Sequence, residues 1–255
     1  MQKKSAYYIQ FTWSVILYPL LFLLSIWTVY WWEINYSYNL NEFGVFPREI
    51  SGLMGVLMSP LIHSGIEHLY QNSAPLVVLS AALFYFYKPI SWRVFLFGYL
   101  GSGLLLWVIG RPSFHIGASG LIYFLFGFLF FKGLISRYFR LIALSLAVVF
   151  LYGSLIWGIF PTKEQVSWEG HLSGLIIGFV LALFYRNFQI TSPYDKYKNP
   201  VLVDSPDDPF LQQFDEQGNF IDAKELETGQ SSTSLSHEDH IEINYEISSK
   251  KTNSK

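Results

Sequence analysis

Six apolar runs dominate the chain: Phe11 to Trp32, His68 to Tyr87, Trp92 to Ile109, Ile116 to Phe131, Tyr138 to Phe160 and Trp168 to Tyr185. A run of about 20 residues with few charges is what the hydrocarbon core of a bilayer demands of a crossing helix. Composition agrees: 51% of residues are apolar, 19% aromatic and only 14% charged, too apolar for a soluble domain of 255 residues. The first run is too long for a signal-peptide core and has no small-residue cleavage site, so it reads as a retained span. The pattern predicts an all-α polytopic membrane protein, a bundle of six transmembrane helices. Cysteine is absent, which removes disulfides, thiolate nucleophiles and cysteine metal sites.

Charge divides the chain into parts. Only six acids precede residue 188, and the other thirteen follow. The expected organisation is a short cytoplasmic N-terminus (1–10), a membrane domain (11–187) and an acidic, polar, disordered cytoplasmic tail (188–255). Basic residues near span ends set orientation. With the N-terminus cytoplasmic, ten fall inside (Lys3, Lys4, Lys88, Arg93, Lys132, Arg137, Arg140, Arg186, Lys196, Lys198) and three outside (Arg48, Arg111, Lys163). Both termini are then cytoplasmic, in a bacterial cytoplasmic membrane. Between the first two spans, GVFPREISGLMGVLMSPLIH reads as a long interfacial loop, with Leu53, Met54, Val56, Leu57 and Met58 in lipid or against the bundle and Arg48 and Glu49 in water.

Polar groups inside spans are costly, and ionisable ones are functional hypotheses by default. Three spans that enter from outside carry them at one depth: Ser119 two to three residues into the fourth, His171 about three residues into the sixth, and His68 with Asn72 one turn apart on the second, His63 lying just above. The fourth run, about 16 residues or roughly 24 Å long, falls short of a hydrocarbon core of roughly 30 Å. Ser119 is therefore expected at the floor of a water-filled depression, reached by a dip of Gly110 to His115. Gly174 and Gly178 follow His171 at three and seven residues, a small-residue face that lets two helices approach. A Ser119 to His171 hydrogen bond becomes possible. No aspartate precedes Asp195, and Glu169 points away from His171 on a helix, so nucleophilic catalysis here would use a dyad.

These residues resemble the rhomboid family of intramembrane serine proteases. Gly117-Ala118-Ser119-Gly120 with Tyr123 matches the family's Gly-x-Ser-Gly and following Tyr; His171, Gly174 and Gly178 match its sixth-helix pattern; His63, His68 and Asn72 match its second-helix pattern. The three patterns stand in the family's order, so the resemblance covers roughly residues 33–186. It implies a six-helix rhomboid-like bundle in which Ser119 is the nucleophile and His171 the general base. It implies an oxyanion hole from the Ser119 N–H, His68 and Asn72, with Tyr123 stacked on His171. It implies single transmembrane helices as substrates, the lipid bilayer as surroundings, and neither cofactor, metal nor nucleic acid. One feature departs from the pattern: many members carry a Trp-Arg pair in the first outer loop, and GLMGVLMSP lacks it.

Blander readings accompany each residue. A serine at a membrane helix start usually caps the helix or bonds its backbone, His68 and Asn72 can simply bond each other, and His63 can support the loop or the cavity rim. His115 reads as a loop or water contact, and Gly174 and Gly178 as packing residues on either reading, while Gly117 and Gly120, flanking Ser119, support its sharper reading. For the whole chain, the alternative is a catalytically inactive relative that binds transmembrane helices. A metal enzyme using His63, His68 and His171 lacks any His-Glu-x-x-His pattern, and a transporter should show internal repeats.

Overall fold

The computed structural model describes residues 9–136, 138–161, 165–188, 213, 214, 219 and 220. Nearly all of the expected N-terminal segment and acidic tail lie outside those residues, as do Arg137, Lys163 and Glu164. By its contacts the chain divides into Met1–Lys196 and Tyr197–Lys255. In the second unit an isolated antiparallel bridge pairs Phe214 with Phe220.

The first unit is helical, and its elements run in order α1 (Ser14–Tyr36), α2 (Gly55–Met58), α3 (Ile66–Phe86), α4 (Ser91–Ile109), α5 (Ser119–Ser136), α6 (Phe139–Tyr152) and α7 (Trp168–Phe184). No strand occurs among the described residues. Five segments are long and apolar enough to cross a membrane: α1, α3, α4, α5 and Phe139–Ile159, which is α6 continued by a 3₁₀ segment at Gly153–Ile159. α7, with 17 residues, is apolar but shorter.

The helices sort by burial. α5 is the central one, with Leu121, Ile122, Tyr123, Phe124, Leu125, Phe126, Phe128 and Leu129 all buried. A helix apolar on every side belongs inside a bundle, and α5 packs against α3, α4, α6 and, most extensively, α7. α1 buries only Val15, Pro19 and Ile26 and leaves Leu17, Leu20, Leu21 and Leu24 exposed, as a lipid-facing helix does. It joins α3, to which Trp27 Nε1 donates at Ser73 Oγ (3.1 Å).

Two boundaries differ from the hydropathy reading. α5 begins at Ser119, not Ile116, so Ser119 is the first helical residue rather than one set inside the helix. Gly117 is the cause: its φ of +107° is not helical, and its N–H donates to Ser59 O at 2.8 Å. The fifth run also changes character at Gly153, where the α-helix gives way to 3₁₀ turns that end before Pro161.

The loop between α1 and α3 holds without a Trp-Arg pair. Arg48 takes a left-handed conformation (φ +63°), and its N–H donates to Trp107 O at 3.0 Å. Its guanidinium reaches Gly110 O (2.7 Å) and Val108 O (3.3 Å), carbonyls at the end of α4 that no further turn would satisfy. Trp107 Nε1 returns a bond to Glu49 O at 2.8 Å. Arg48 faces solvent, as expected, yet is fixed there as the cap of α4. Leu53, Met54 and Leu57 are exposed and Val56 is buried.

Candidate active site

Ser119, His171, His68, Asn72 and Tyr123 line one open cavity of about 1030 Å³, together with Arg111. They arrive on three helices: Ser119 and Tyr123 on α5, His171 on α7, His68 and Asn72 in the first two turns of α3.

What brings α5 and α7 so close is the absence of side chains. A Cβ on Gly174 would run into Gly120 O and lie 2.9 Å from Phe124 N, and one on Gly178 would lie 2.5 Å from Phe124 O. On the facing helix, a Cβ on Gly120 would stand 3.3 Å from Gly170 O, and one on Gly127 3.1 Å from Leu175 O. Backbone meets backbone along this seam, the close approach that small residues permit in membranes.

The histidine ring of α7 is clamped on one face and one edge. Tyr123 stacks on it with ring centres 4.1 Å apart and planes 6° from parallel. Its Nδ1 lies 2.8 Å from Gly158 O. A carbonyl oxygen only accepts, so in the neutral ring Nδ1 carries the hydrogen and Nε2 the lone pair. The Tyr123 hydroxyl donates to Leu155 O (2.5 Å), which fixes the stacking ring in turn. Leu155 and Gly158 both belong to the 3₁₀ segment, and a Cβ on Gly158 would collide with the Tyr123 hydroxyl. Sequence reasoning missed both residues. The only signal was the Gly153, Gly158 and Pro161 spacing that breaks the fifth run.

The other polar groups separate. Asn72 is buried, and its side-chain nitrogen has no hydrogen-bond partner among the described residues. His68 stands against Gly117, where a Cβ would meet its Nε2 at 2.8 Å, and its Nδ1 is 3.2 Å from Ser64 Oγ. His63 does not line the cavity. It is buried behind it, its ring 5.1 Å from that of His68 and its Nε2 accepting from Ala118 N–H at 3.4 Å, so it supports the loop that leads to Ser119. Burial first, and then the neighbouring His68, push its pKa down to about 4.

A Rhomboid domain model matches residues 51–188, more than half of the chain. The chain belongs to the rhomboid family. The matched part starts in the loop after α1 and takes in α2 to α7, leaving α1 outside it. Uncharacterized proteins of Mycobacterium bovis and Mycobacterium tuberculosis are 40% identical to this rhomboid over 158 residues, 56% of this chain and 64% of theirs. One from Mycobacterium leprae is 34% identical over 160 residues, 57% of this chain and 61% of the relative. The similarity thus spans a little under two thirds of these relatives' length. Family membership and the apolar helices fit a multi-pass integral membrane protein.

Glu169 and His115 complete the picture of this rhomboid's polar residues. Glu169 is buried and its Oε1 lies 3.8 Å from Arg111 Nε. His115 is buried, with Nδ1 2.6 Å from Ser167 Oγ and Nε2 3.0 Å from Arg111 O. Ser119 Oγ makes no hydrogen bond to His171 among the described residues.

Proposed function

We propose that this rhomboid is an intramembrane serine endopeptidase that cuts single transmembrane helices near their outer ends. The observation that carries the reading is the state of His171. With its Nδ1 hydrogen committed to Gly158 O and its face held by Tyr123, the ring offers its basic Nε2 in the cavity that Ser119 borders. A backbone carbonyl thereby does what an aspartate does in a triad, fixing tautomer and orientation.

The chemistry follows from those positions. Ser119 Oγ attacks the scissile carbonyl carbon while Nε2 of His171 takes the hydroxyl proton. The oxyanion is met by the Ser119 N–H, His68 and the Asn72 amide, whose buried donor has no other partner among the described residues. Collapse breaks the C–N bond, and the imidazolium gives its proton to the leaving amine. Water from the cavity then repeats the sequence on the acyl-enzyme and releases a carboxylate, restoring Ser119. The hydrogen bond between nucleophile and base commonly tightens only once substrate is in place.

On this reading α7 is a short sixth crossing, both termini are cytoplasmic and the cavity opens outward. The test is a fluorophosphonate probe applied to purified protein in detergent. Wild type should be labelled covalently, and Ser119→Ala and His171→Ala should not. Labelling that survives loss of His171 would remove the base. A wild type that never reacts but retains single-span helices would favour an inactive helix binder.

A further inference from the structure

Two residues that this chemistry leaves unused stand four places ahead of its central pair: His115 before Ser119, and Ser167 before His171. Their side chains meet, His115 Nδ1 to Ser167 Oγ, at 2.6 Å. The direction of that bond can be worked out. His115 Nε2 lies 3.0 Å from Arg111 O, which only accepts, so Nε2 bears the hydrogen and Nδ1 the lone pair. Ser167 therefore donates to His115. The same Ser167 oxygen accepts from Gly170 N–H at 3.3 Å and is the N-cap of α7.

His115 is itself immobilised. Its N–H and C=O pair with Val45 at 2.9 Å in both directions, and its ring is buried. The charged groups that bear on it are Arg111 and Glu169, which lie 3.8 Å apart, while Arg111 Nη2 also donates to Val166 O at 2.9 Å. Burial pulls the ring's pKa below its ordinary value, which favours the neutral form. Deeper in the membrane, α5 and α7 are held by glycine contact. At the level of Ser167, which lines the cavity, the His115–Ser167 bond adds a polar tie to the Gly120–Gly170 contact between the two helix starts.

We propose that His115 and Ser167 act as one positioning relay that sets the first turn of α7 against the entry to α5, and with it the separation of His171 from Ser119. Both line the cavity and are assigned here as positioning residues, acting on the catalytic pair through the helix starts. The inference rests on the Ser119–His171 reading for its catalytic consequence, but its structural half stands by itself.

The test uses the full-length protein in detergent as wild type, His115→Phe, Ser167→Ala, the double variant and Ser167→Thr. Two quantities are read: amide hydrogen exchange at Gly170 and His171, and the rate of fluorophosphonate labelling of Ser119. His115→Phe and Ser167→Ala should each speed exchange at those two amides and slow labelling about tenfold. The double variant should be no slower than either single one, because the pair acts as a unit. Ser167→Thr, which keeps the hydroxyl, should restore both. Unchanged exchange in the single variants, or additive losses in the double one, would overturn the proposal. If His115→Phe fails to fold, the contrast of Ser167→Ala with Ser167→Thr decides. A wild type that takes no label, with faster exchange in the variants, would leave the relay standing and remove the protease reading instead.

Discussion

Asn72 and His63 sit within ten residues of each other and illustrate opposite uses of a buried polar group. The Asn72 amide has a donor to spare beside the cavity, and we assign it to charge that exists only while the peptide bond is breaking. Asn72→Ala should therefore lower kcat about 100-fold with little change in KM, measured on a single-span substrate. A loss confined to KM would return Asn72 to a structural role. His63 is buried neutral, its pKa near 4 against 6.5 for the free side chain. The unfolded chain binds the proton more readily, so this contribution to stability is complete above about pH 6.5 and is lost as pH falls toward 4. It amounts to about 3 kcal/mol over that window. Thermal unfolding in detergent should show wild type losing more stability than His63→Gln between pH 7 and 4. The two residues were equally visible in the sequence, since ionisable and amide groups in or beside a span demand explanation. What divided them was depth behind the cavity wall, which depends on the path of the loop and not on spacing.

At the scale of elements, the α5–α7 seam carries the site. Because a Cβ on Gly174 already runs into the Gly120 carbonyl, Gly174→Val must push the helices apart along their length. Overpacking of this kind costs about 2 kcal/mol, and a 1 Å shift of the base costs about 100-fold in rate. The expected outcome is a folded protein with a lowered unfolding temperature and almost no activity, whereas Gly153→Ala, with only an ordinary side-chain contact to make, should retain both. The seam was legible, because glycine at three and seven residues from His171 has few other uses. The 3₁₀ segment was not: Leu155 and Gly158 act through their carbonyls, and every residue type carries one. The start of α5 was misread by three residues for a related reason. Hydropathy registers Ile116 as apolar and is blind to the φ of Gly117. The Arg48 cap on α4 joins residues about 60 apart in sequence, a pairing that periodicity cannot report.

For the whole molecule, the account needs a bundle that opens on one side of a membrane. The absence of cysteine makes this easy to check, since any introduced thiol is the only one. Asn39→Cys, exposed in the loop after α1, should react with an impermeant maleimide on intact cells. Lys88→Cys, exposed between α3 and α4, should react only after permeabilisation. The reverse pattern would invert the bundle and place the cavity on the cytoplasmic face. Composition and span order made the membrane character plain from the sequence, while the length of α7 did not distinguish a crossing helix from a short buried one. The most direct measurement of the central claim is incubation of purified wild type and Ser119→Ala with a generic single-span substrate, followed by mass mapping of the fragment ends. Wild type should produce one cut near the outer end of the substrate helix, and Ser119→Ala none. An equal cut by both proteins, or an intact substrate after prolonged incubation with a folded wild type, would contradict it.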